Sequence, residues 1–122
     1  MQVTEPKTAN LFRLNSDRDQ ILGQVAQLER EFAAIVASAS DGSAGGDDEH
    51  DPEGATVAFE RQHVAALLDQ ARSHLAAIDV ARRKLDAGRY EICDGCGGPS
   101  GAERLAARPA ALTCIRCAAR RA

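Results

Sequence analysis

Four cysteines in two closely spaced pairs constrain this chain more than any other feature of its sequence. They are Cys93, Cys96, Cys114 and Cys117, so two residues separate the members of each pair and seventeen separate the pairs. Two C-x-x-C segments at this spacing predict four thiolates arranged tetrahedrally around one zinc ion. Because four protein ligands leave no open position for water, the predicted site is structural rather than catalytic.

Two other uses of paired cysteines are less compatible with this sequence. A redox-active C-x-x-C segment is expected beside a βαβ pattern, which is missing here. Disulfides would not persist in a reducing cytosol, and a cytoplasmic location is expected because the first 20 residues lack a basic start followed by an apolar run. No stretch of about 18 apolar residues is present to span a membrane.

Aromatic residues make up only 3% of the chain, and alanine accounts for much of its 44% hydrophobic share. Alanine favours helices but buries little area, so a large globular core is not expected. Zinc binding is expected to fold the core-poor segment from about residue 89 to 118, since metal-binding energy becomes folding energy in such modules.

Apolar residues recur every seven positions in two segments, which is typical of coiled-coil helices. The first seam contains Leu11, Leu14, Ile21, Val25, Leu28, Phe32, Ile35 and Ala39, and Arg18 interrupts it. The second contains Val57, Val64, Leu68, Ala71, Leu75, Ile78 and Leu85. These seams predict helices over about residues 14–40 and 55–87. Ser16 with Asp19 resembles a capping box, so the first helix is expected to start there or a turn or two earlier, and Gly88 is expected to end the second.

The predicted fold is mostly α, an antiparallel two-helix coiled-coil hairpin followed by a small four-cysteine zinc-finger module. An acidic, glycine-rich tip loop over residues 41–54 joins the helices, so the hairpin would occupy residues 1–88 and the zinc finger with its short tail residues 89–122. The alternative interpretation of the two helices is that they form half of an ordinary small helical bundle. A parallel dimer is disfavoured because the two seams can satisfy each other within one chain, so a monomer is expected.

Charge is segregated along the chain. Residues 41–81 contain nine acidic and two basic residues, a net charge of −7, whereas residues 82–122 contain nine basic and four acidic residues, a net charge of +5. No nucleophile is visible with a matching base, and phosphate-loop glycine patterns are absent, so the chain is expected to be a binding protein and not an enzyme.

The segment around the cysteines resembles the DksA/TraR family of bacterial transcription regulators. The likeness lies in the run Gly88-Arg89-Tyr90-Glu91-Ile92-Cys93, the glycine after Cys96, the pair Arg104-Leu105 and the run Ala107-Arg108-Pro109. It implies a protein that binds RNA polymerase directly, places its coiled-coil tip in the secondary channel and modulates initiation, often with the alarmone ppGpp. Direct DNA binding is not implied.

The resemblance also implies roles for particular residues. The polymerase-contacting tip would contain Asp47, Asp48, Asp51 and Glu53. Asp48 and Asp51 have the three-residue spacing of the family's tip aspartates, and Glu53 stands where its most active members have alanine. Arg108 matches an arginine implicated in the alarmone site, which makes it a candidate contact for ppGpp or polymerase.

A zinc-ribbon protein that binds nucleic acid is the rival interpretation. Its contacts would come from five arginines, Arg104, Arg108, Arg116, Arg120 and Arg121. The acidic loop and the lack of aromatic residues among these bases count against it, because single-strand binders usually stack bases on aromatic rings.

Overall fold

The computed structural model describes residues 7–42 and 52–121, with side chains described over 7–39 and 54–120. Four helices follow one another along the chain: α1 (Lys7–Gly42), α2 (Pro52–Asp86), α3 (Ala102–Ala107) and α4 (Ile115–Arg121). Within these ranges there is no named strand, and one isolated antiparallel bridge joins Ile92 and Pro99. None of the helices in the described part of the chain has the length and hydropathy needed to cross a membrane.

The ends of the long helices follow local sequence signals only in part. Helix α1 begins at Lys7, so Ser16 lies within the helix and the N-cap predicted for it is wrong. The propagating helix gains a backbone hydrogen bond for each added residue, which favours extension beyond a single capping signal. Helix α2 begins with Pro52 in its first turn, where proline costs no hydrogen bond.

Helix α2 ends in a Schellman motif. The Gly88 amide donates to the Leu85 carbonyl at 3.2 Å, and the Arg89 amide donates to the Lys84 carbonyl at 2.7 Å. Gly88 has a φ of 74°, in the left-handed region that glycine adopts without a Cβ penalty. The glycine therefore ends the helix as predicted and turns the chain toward the cysteines.

The described residues belong to two compact units. The first comprises residues 1–21 and 74–122, and the second residues 22–73. In the first unit Leu14 and Ile78 are fully buried. Arg18, which interrupts the first seam, has its Nε 3.3 Å from a carboxylate oxygen of Asp79. The long helices pack antiparallel in this unit, since Lys7 at the start of α1 pairs with Asp86 at the end of α2.

The second unit confirms the predicted seam residue by residue. Over residues 22–39 the half-buried side chains are Val25, Leu28, Phe32, Ile35 and Ala39, and all the others are exposed. On α2 the predicted seam residues of this unit are buried, namely Val64, Leu68 and Ala71. The two long helices therefore pack along the narrow stripes that the heptads indicate, which confirms the helical coiled-coil fold. The predicted domain boundary between residues 88 and 89 stays a prediction.

Candidate zinc centre

The first cysteine pair lies in a tight turn directly after α2. The Cys93 amide donates to the Gly98 carbonyl at 2.7 Å, and the Gly97 amide donates to the Cys93 carbonyl at 2.9 Å. Gly97 has a φ of 75°, which a residue with a Cβ rarely adopts. These bonds fold the backbone so that the Cys93 and Cys96 side chains face the same point.

The second cysteine pair lies at the start of a helix and not in a glycine turn. Cys114 immediately precedes α4, and Cys117 lies in its first turn. The Ala118 amide donates to the Cys114 carbonyl at 2.9 Å, which closes this turn. Helical geometry therefore brings the two thiols of the second pair to one side.

The four sulfurs form a cluster of the size that zinc requires. They all lie within 4.8 Å of one another, and the Cys96 and Cys114 sulfurs are 3.9 Å apart. Four tetrahedral Zn–S bonds of about 2.3 Å place the sulfurs about 3.8 Å from each other. Because this distance and a donor set of four soft thiolates both fit, the cysteines are positioned to bind one zinc ion. Zinc would cross-link the two turns and neutralise part of the thiolate charge.

Backbone amides support Cys93, the buried member of the cluster. The Gly95 amide lies 3.3 Å from its sulfur, and the Cys114 amide lies 3.2 Å from the same atom. Such outer-shell donors orient a ligand and stabilise its negative charge. The Cys114 amide also links the two cysteine pairs, because it donates a hydrogen bond to the Cys93 sulfur of the other pair.

The pKa values of the thiols differ within the cluster before zinc binds. The pKa of Cys93 is lowered to about 6, chiefly because the Cys114 amide donates to its sulfur. The pKa of Cys114 is also lowered, chiefly by a hydrogen bond from the Cys117 backbone. The pKa of Cys117 is raised to about 12 because its thiol bonds to the sulfurs of Cys93 and Cys114. The lowered pKa favours the thiolate form of Cys93, whereas Cys117 has to lose its proton to bind zinc as a thiolate.

Gly95 lies against the cluster so closely that a side chain does not fit. A Cβ at this position would be 2.9 Å from the Cys117 sulfur and 3.2 Å from its Cβ. Cβ atoms in proteins do not approach other heavy atoms to 2.9 Å, so any larger residue must displace Cys117. Gly98 is less restrictive, since its Cβ would be 3.5 Å from the Cys96 sulfur.

Three polar side chains connect the zinc turns to their surroundings, a structural role that the sequence patterns do not predict. The Lys84 ammonium donates to the Ile92 carbonyl at 2.7 Å. The Tyr90 hydroxyl donates to the Pro109 carbonyl at 2.7 Å, and the Arg104 Nε donates to the Thr113 carbonyl at 2.7 Å. Each acceptor is a backbone carbonyl, which every residue type has, so residue identities and spacing do not reveal these hydrogen bonds.

The structure describes only some of the other predicted site residues. Asp47, Asp48 and Asp51 lie outside the described residues. Glu53 is in the first turn of α2, and its side chain is also outside the described set. Arg108 follows α3 as its C-cap, where its amide donates to the Arg104 carbonyl and its side chain is exposed. The roles predicted for these residues stay predictions.

Comparison with known proteins agrees with this centre and with the fold. The family model described as the prokaryotic dksA/traR C4-type zinc finger matches residues 88–121. A solved structure of the transcription factor DksA2 from Pseudomonas aeruginosa is similar to this chain at 28% sequence identity and a TM-score of 0.50. That match covers 88% of this chain and 81% of the other. A search of curated proteins finds no match.

Proposed function

We propose that this chain, whose zinc finger matches the dksA/traR family model, regulates transcription as a DksA-like protein that binds bacterial RNA polymerase directly. The observation that carries this proposal is the extent of the likeness to DksA2, a transcription factor, which covers 88% of the chain and so includes both long helices as well as the zinc finger. A zinc finger that merely shared a metal-binding motif would not need this pair of helices.

The effector in this proposal is the tip between the long helices, with Asp47, Asp48, Asp51 and Glu53 as its acidic residues. The tip would enter the secondary channel and modulate initiation from there. Carboxylates near a catalytic metal, basic residues or mobile loops shift the equilibria of those groups, which is a physical route from binding to a change in promoter-complex lifetime.

The zinc module would provide a second contact surface. The exposed side chain of Arg108 suits a contact with a polymerase acid or with a phosphate of ppGpp. Zinc itself takes no part in chemistry in this proposal. It holds the backbone that presents Arg108, because residues 93 to 117 form the two turns that the ion joins.

The rival function, nucleic-acid binding through five arginines, receives less support from the structure. Arg104 is half-buried, and its Nε donates to the Thr113 carbonyl within the zinc module. Arg116 and Arg120 are exposed on α4. A structural role for Arg104 removes one of the proposed phosphate contacts, and phosphate contacts supply most non-specific affinity for nucleic acid.

Co-migration of the purified, zinc-loaded protein with bacterial core polymerase tests the proposal. We expect the wild type to bind, and we expect Asp48→Asn with Asp51→Asn to bind equally well but to lose the effect on promoter-complex lifetime. A control double variant, Asp17→Asn with Asp19→Asn, removes the same charge from α1 and should keep both properties. Failure of the wild type to bind polymerase would refute the proposal.

A salt titration of DNA binding distinguishes the proposed function from the rival, nucleic-acid binding. Nucleic-acid binding through arginine–phosphate contacts should weaken steeply between low and moderate salt. We expect no salt-sensitive DNA complex at micromolar protein. Tight, steeply salt-dependent DNA binding without polymerase binding would favour the rival.

A further inference from the structure

We propose that Lys84 is a positioning residue for the zinc site, because its ammonium holds both chain neighbours of the buried ligand Cys93. The ammonium donates to the carbonyl of Ile92, the residue before this cysteine, at 2.7 Å. It also lies 3.0 Å from a carboxylate oxygen of Asp94, the residue after it. A cysteine held on both sides presents its sulfur to zinc in one orientation, so Lys84 raises the affinity for zinc. This role does not depend on polymerase binding.

The burial of Lys84 sets it apart from an ordinary basic residue at a helix end. Arg83, its neighbour in the last turn of α2, is exposed, and a cation in such a place complements the negative end of the helix dipole. The Lys84 side chain is only 9% exposed. A buried ammonium is costly unless it is paired and hydrogen-bonded, so its two contacts keep it in one position. A fixed cation can orient the residues that it contacts, whereas a solvated cation cannot.

The contacts of Lys84 complete the bonding of the backbone around Cys93. The amide and the carbonyl of this cysteine both bond within the first zinc turn. The Ile92 carbonyl instead receives its donor from α2. Asp94 is held twice, because its carboxylate pairs with Lys84 and its amide donates to the Leu112 carbonyl at 2.8 Å, shortly before the second cysteine pair. Lys84 therefore fixes the first turn relative to α2 and, through Asp94, to the segment that leads to the second pair.

The expected size of the effect follows from how outer groups act on metal ligands. Changes to such groups typically cost roughly 10–100-fold in metal affinity. The amides of Gly95 and Cys114 bond the Cys93 sulfur itself. Lys84 acts one step further out, on the backbone that carries this sulfur. We therefore expect its loss to cost about tenfold, the lower end of the range.

Charge alone is the simpler explanation of any effect of Lys84, and Arg83 provides the matched control. Zinc with four thiolates has a net negative charge, so any nearby cation favours it. Arg83 and Lys84 line the same cavity of about 540 Å³ beside Cys93. Replacing either one by methionine removes a positive charge from this cavity. Only Lys84→Met also releases the residues on both sides of the ligand, so the two variants separate position from charge.

Two measurements on the full-length variants test this role. Competition with a chromophoric chelator gives the affinity for zinc. The absorption spectrum of the Co²⁺-loaded protein reports the geometry of the four thiolate ligands, which a loss of stability alone does not change. Tyr90→Phe is the stability control, because it removes a hydrogen bond to the Pro109 carbonyl and leaves both chain neighbours of Cys93 in place.

We expect Lys84→Met to lower zinc affinity about tenfold and to shift the Co²⁺ spectrum. Arg83→Met should do neither, and Tyr90→Phe should keep the wild-type spectrum. Unchanged zinc affinity in Lys84→Met overturns the proposal. An equal loss in the two methionine variants also overturns it, because charge is then the cause. Lowered affinity of Lys84→Met with the wild-type spectrum shows a loss of stability only, which overturns the positioning role as well.

Asp94→Asn provides a second test where Lys84→Met does not fold. Asparagine removes the charge that pairs with the ammonium, while the bond to the Ile92 carbonyl remains, so we expect a smaller loss of zinc affinity and a smaller spectral shift. Its control is Glu91→Gln, which removes the same charge from an exposed residue two positions before Cys93. Equal zinc affinities of these two variants overturn the proposal. None of these results bears on polymerase binding, so the proposed function stands or fails separately.

Discussion

The ammonium of Lys84, in the last turn of α2, lies 3.0 Å from a carboxylate oxygen of Asp94, which sits between two of the zinc-binding cysteines. The lysine side chain is only 9% exposed, whereas the aspartate side chain is 39% exposed. The same ammonium donates to the Ile92 carbonyl. The buried ammonium therefore joins the end of the long helix to the first zinc turn, across the domain boundary that the sequence predicts between residues 88 and 89.

Replacing Lys84 by methionine should destabilise this junction. The substitution retains the buried stem but leaves the Ile92 carbonyl without its donor, and we expect a loss of about 1–3 kcal/mol in the free energy of unfolding. The control is Arg83→Met, since Arg83 is the exposed neighbour on the same turn and should tolerate the change. Urea unfolding of the zinc-loaded variants measures both, and equal stabilities would contradict the role assigned to Lys84.

Gly95→Ala should weaken zinc binding, because its Cβ would meet the Cys117 sulfur at 2.9 Å. Changes to the groups that surround and orient metal ligands typically cost roughly 10–100-fold in metal affinity, and we expect a loss of that order here. Gly98→Ala provides the matched control, because its Cβ would make an ordinary contact with the Cys96 sulfur at 3.5 Å. Competition with a chromophoric chelator gives the two affinities. If Gly95→Ala bound zinc as tightly as Gly98→Ala, the close approach of residue 95 to Cys117 would not limit zinc affinity.

Sequence patterns predict the zinc ligands and the helical seam because both depend on spacing. The cysteine spacing is fixed by the geometry of one ion, and the heptads are fixed by the helical repeat. The pattern predicts too late a start for α1, near residue 14, because Ser16 has the composition of a cap but the helix extends past it to Lys7. Lys84, Tyr90 and Arg104 were missed as structural residues because their partners are carbonyls brought near only by the tertiary fold.

Tyr90→Phe should destabilise the zinc module without unfolding it. Tyr90 is 4% exposed, and its hydroxyl bonds the Pro109 carbonyl at 2.7 Å. Loss of the donor leaves that carbonyl with one fewer partner in a buried setting, so we expect a cost of about 1 kcal/mol. Differential scanning calorimetry of the zinc-loaded protein tests the stability, and an unchanged unfolding temperature would contradict the prediction.

Arg18→Leu should stabilise the paired helices. Arg18 interrupts the apolar seam, and its contact with Asp79 joins side chains that are 37% and 42% exposed. Pairs this exposed contribute about 0–1 kcal/mol, whereas leucine would restore apolar contact along the seam. Asp79 would keep Arg82, whose Nη1 lies 3.7 Å away. We expect a gain of about 1 kcal/mol in urea unfolding, with Arg18→Ala as the control that removes the pair but adds no apolar surface. If Arg18→Leu were no more stable than Arg18→Ala, the leucine side chain would not pack in the seam.

Zinc removal should release the two turns while the long helices persist. Three backbone hydrogen bonds depend on the zinc turns. The amides of Cys93, Asp94 and Ser100 donate them to the carbonyls of Gly98, Leu112 and Glu91, respectively. When the ion is gone, the cross-link between the two turns is lost, and this loss favours opening because the binding energy of a structural zinc is also folding energy. The long helices have their own apolar seam, so their interior amides should stay protected. Hydrogen exchange followed by mass spectrometry, with and without a chelator in reducing buffer, measures this difference. We expect faster exchange over residues 93–117 and little change over residues 22–39 and 57–73. Equal loss of protection in both regions would mean that the zinc turns and the helices unfold as one unit.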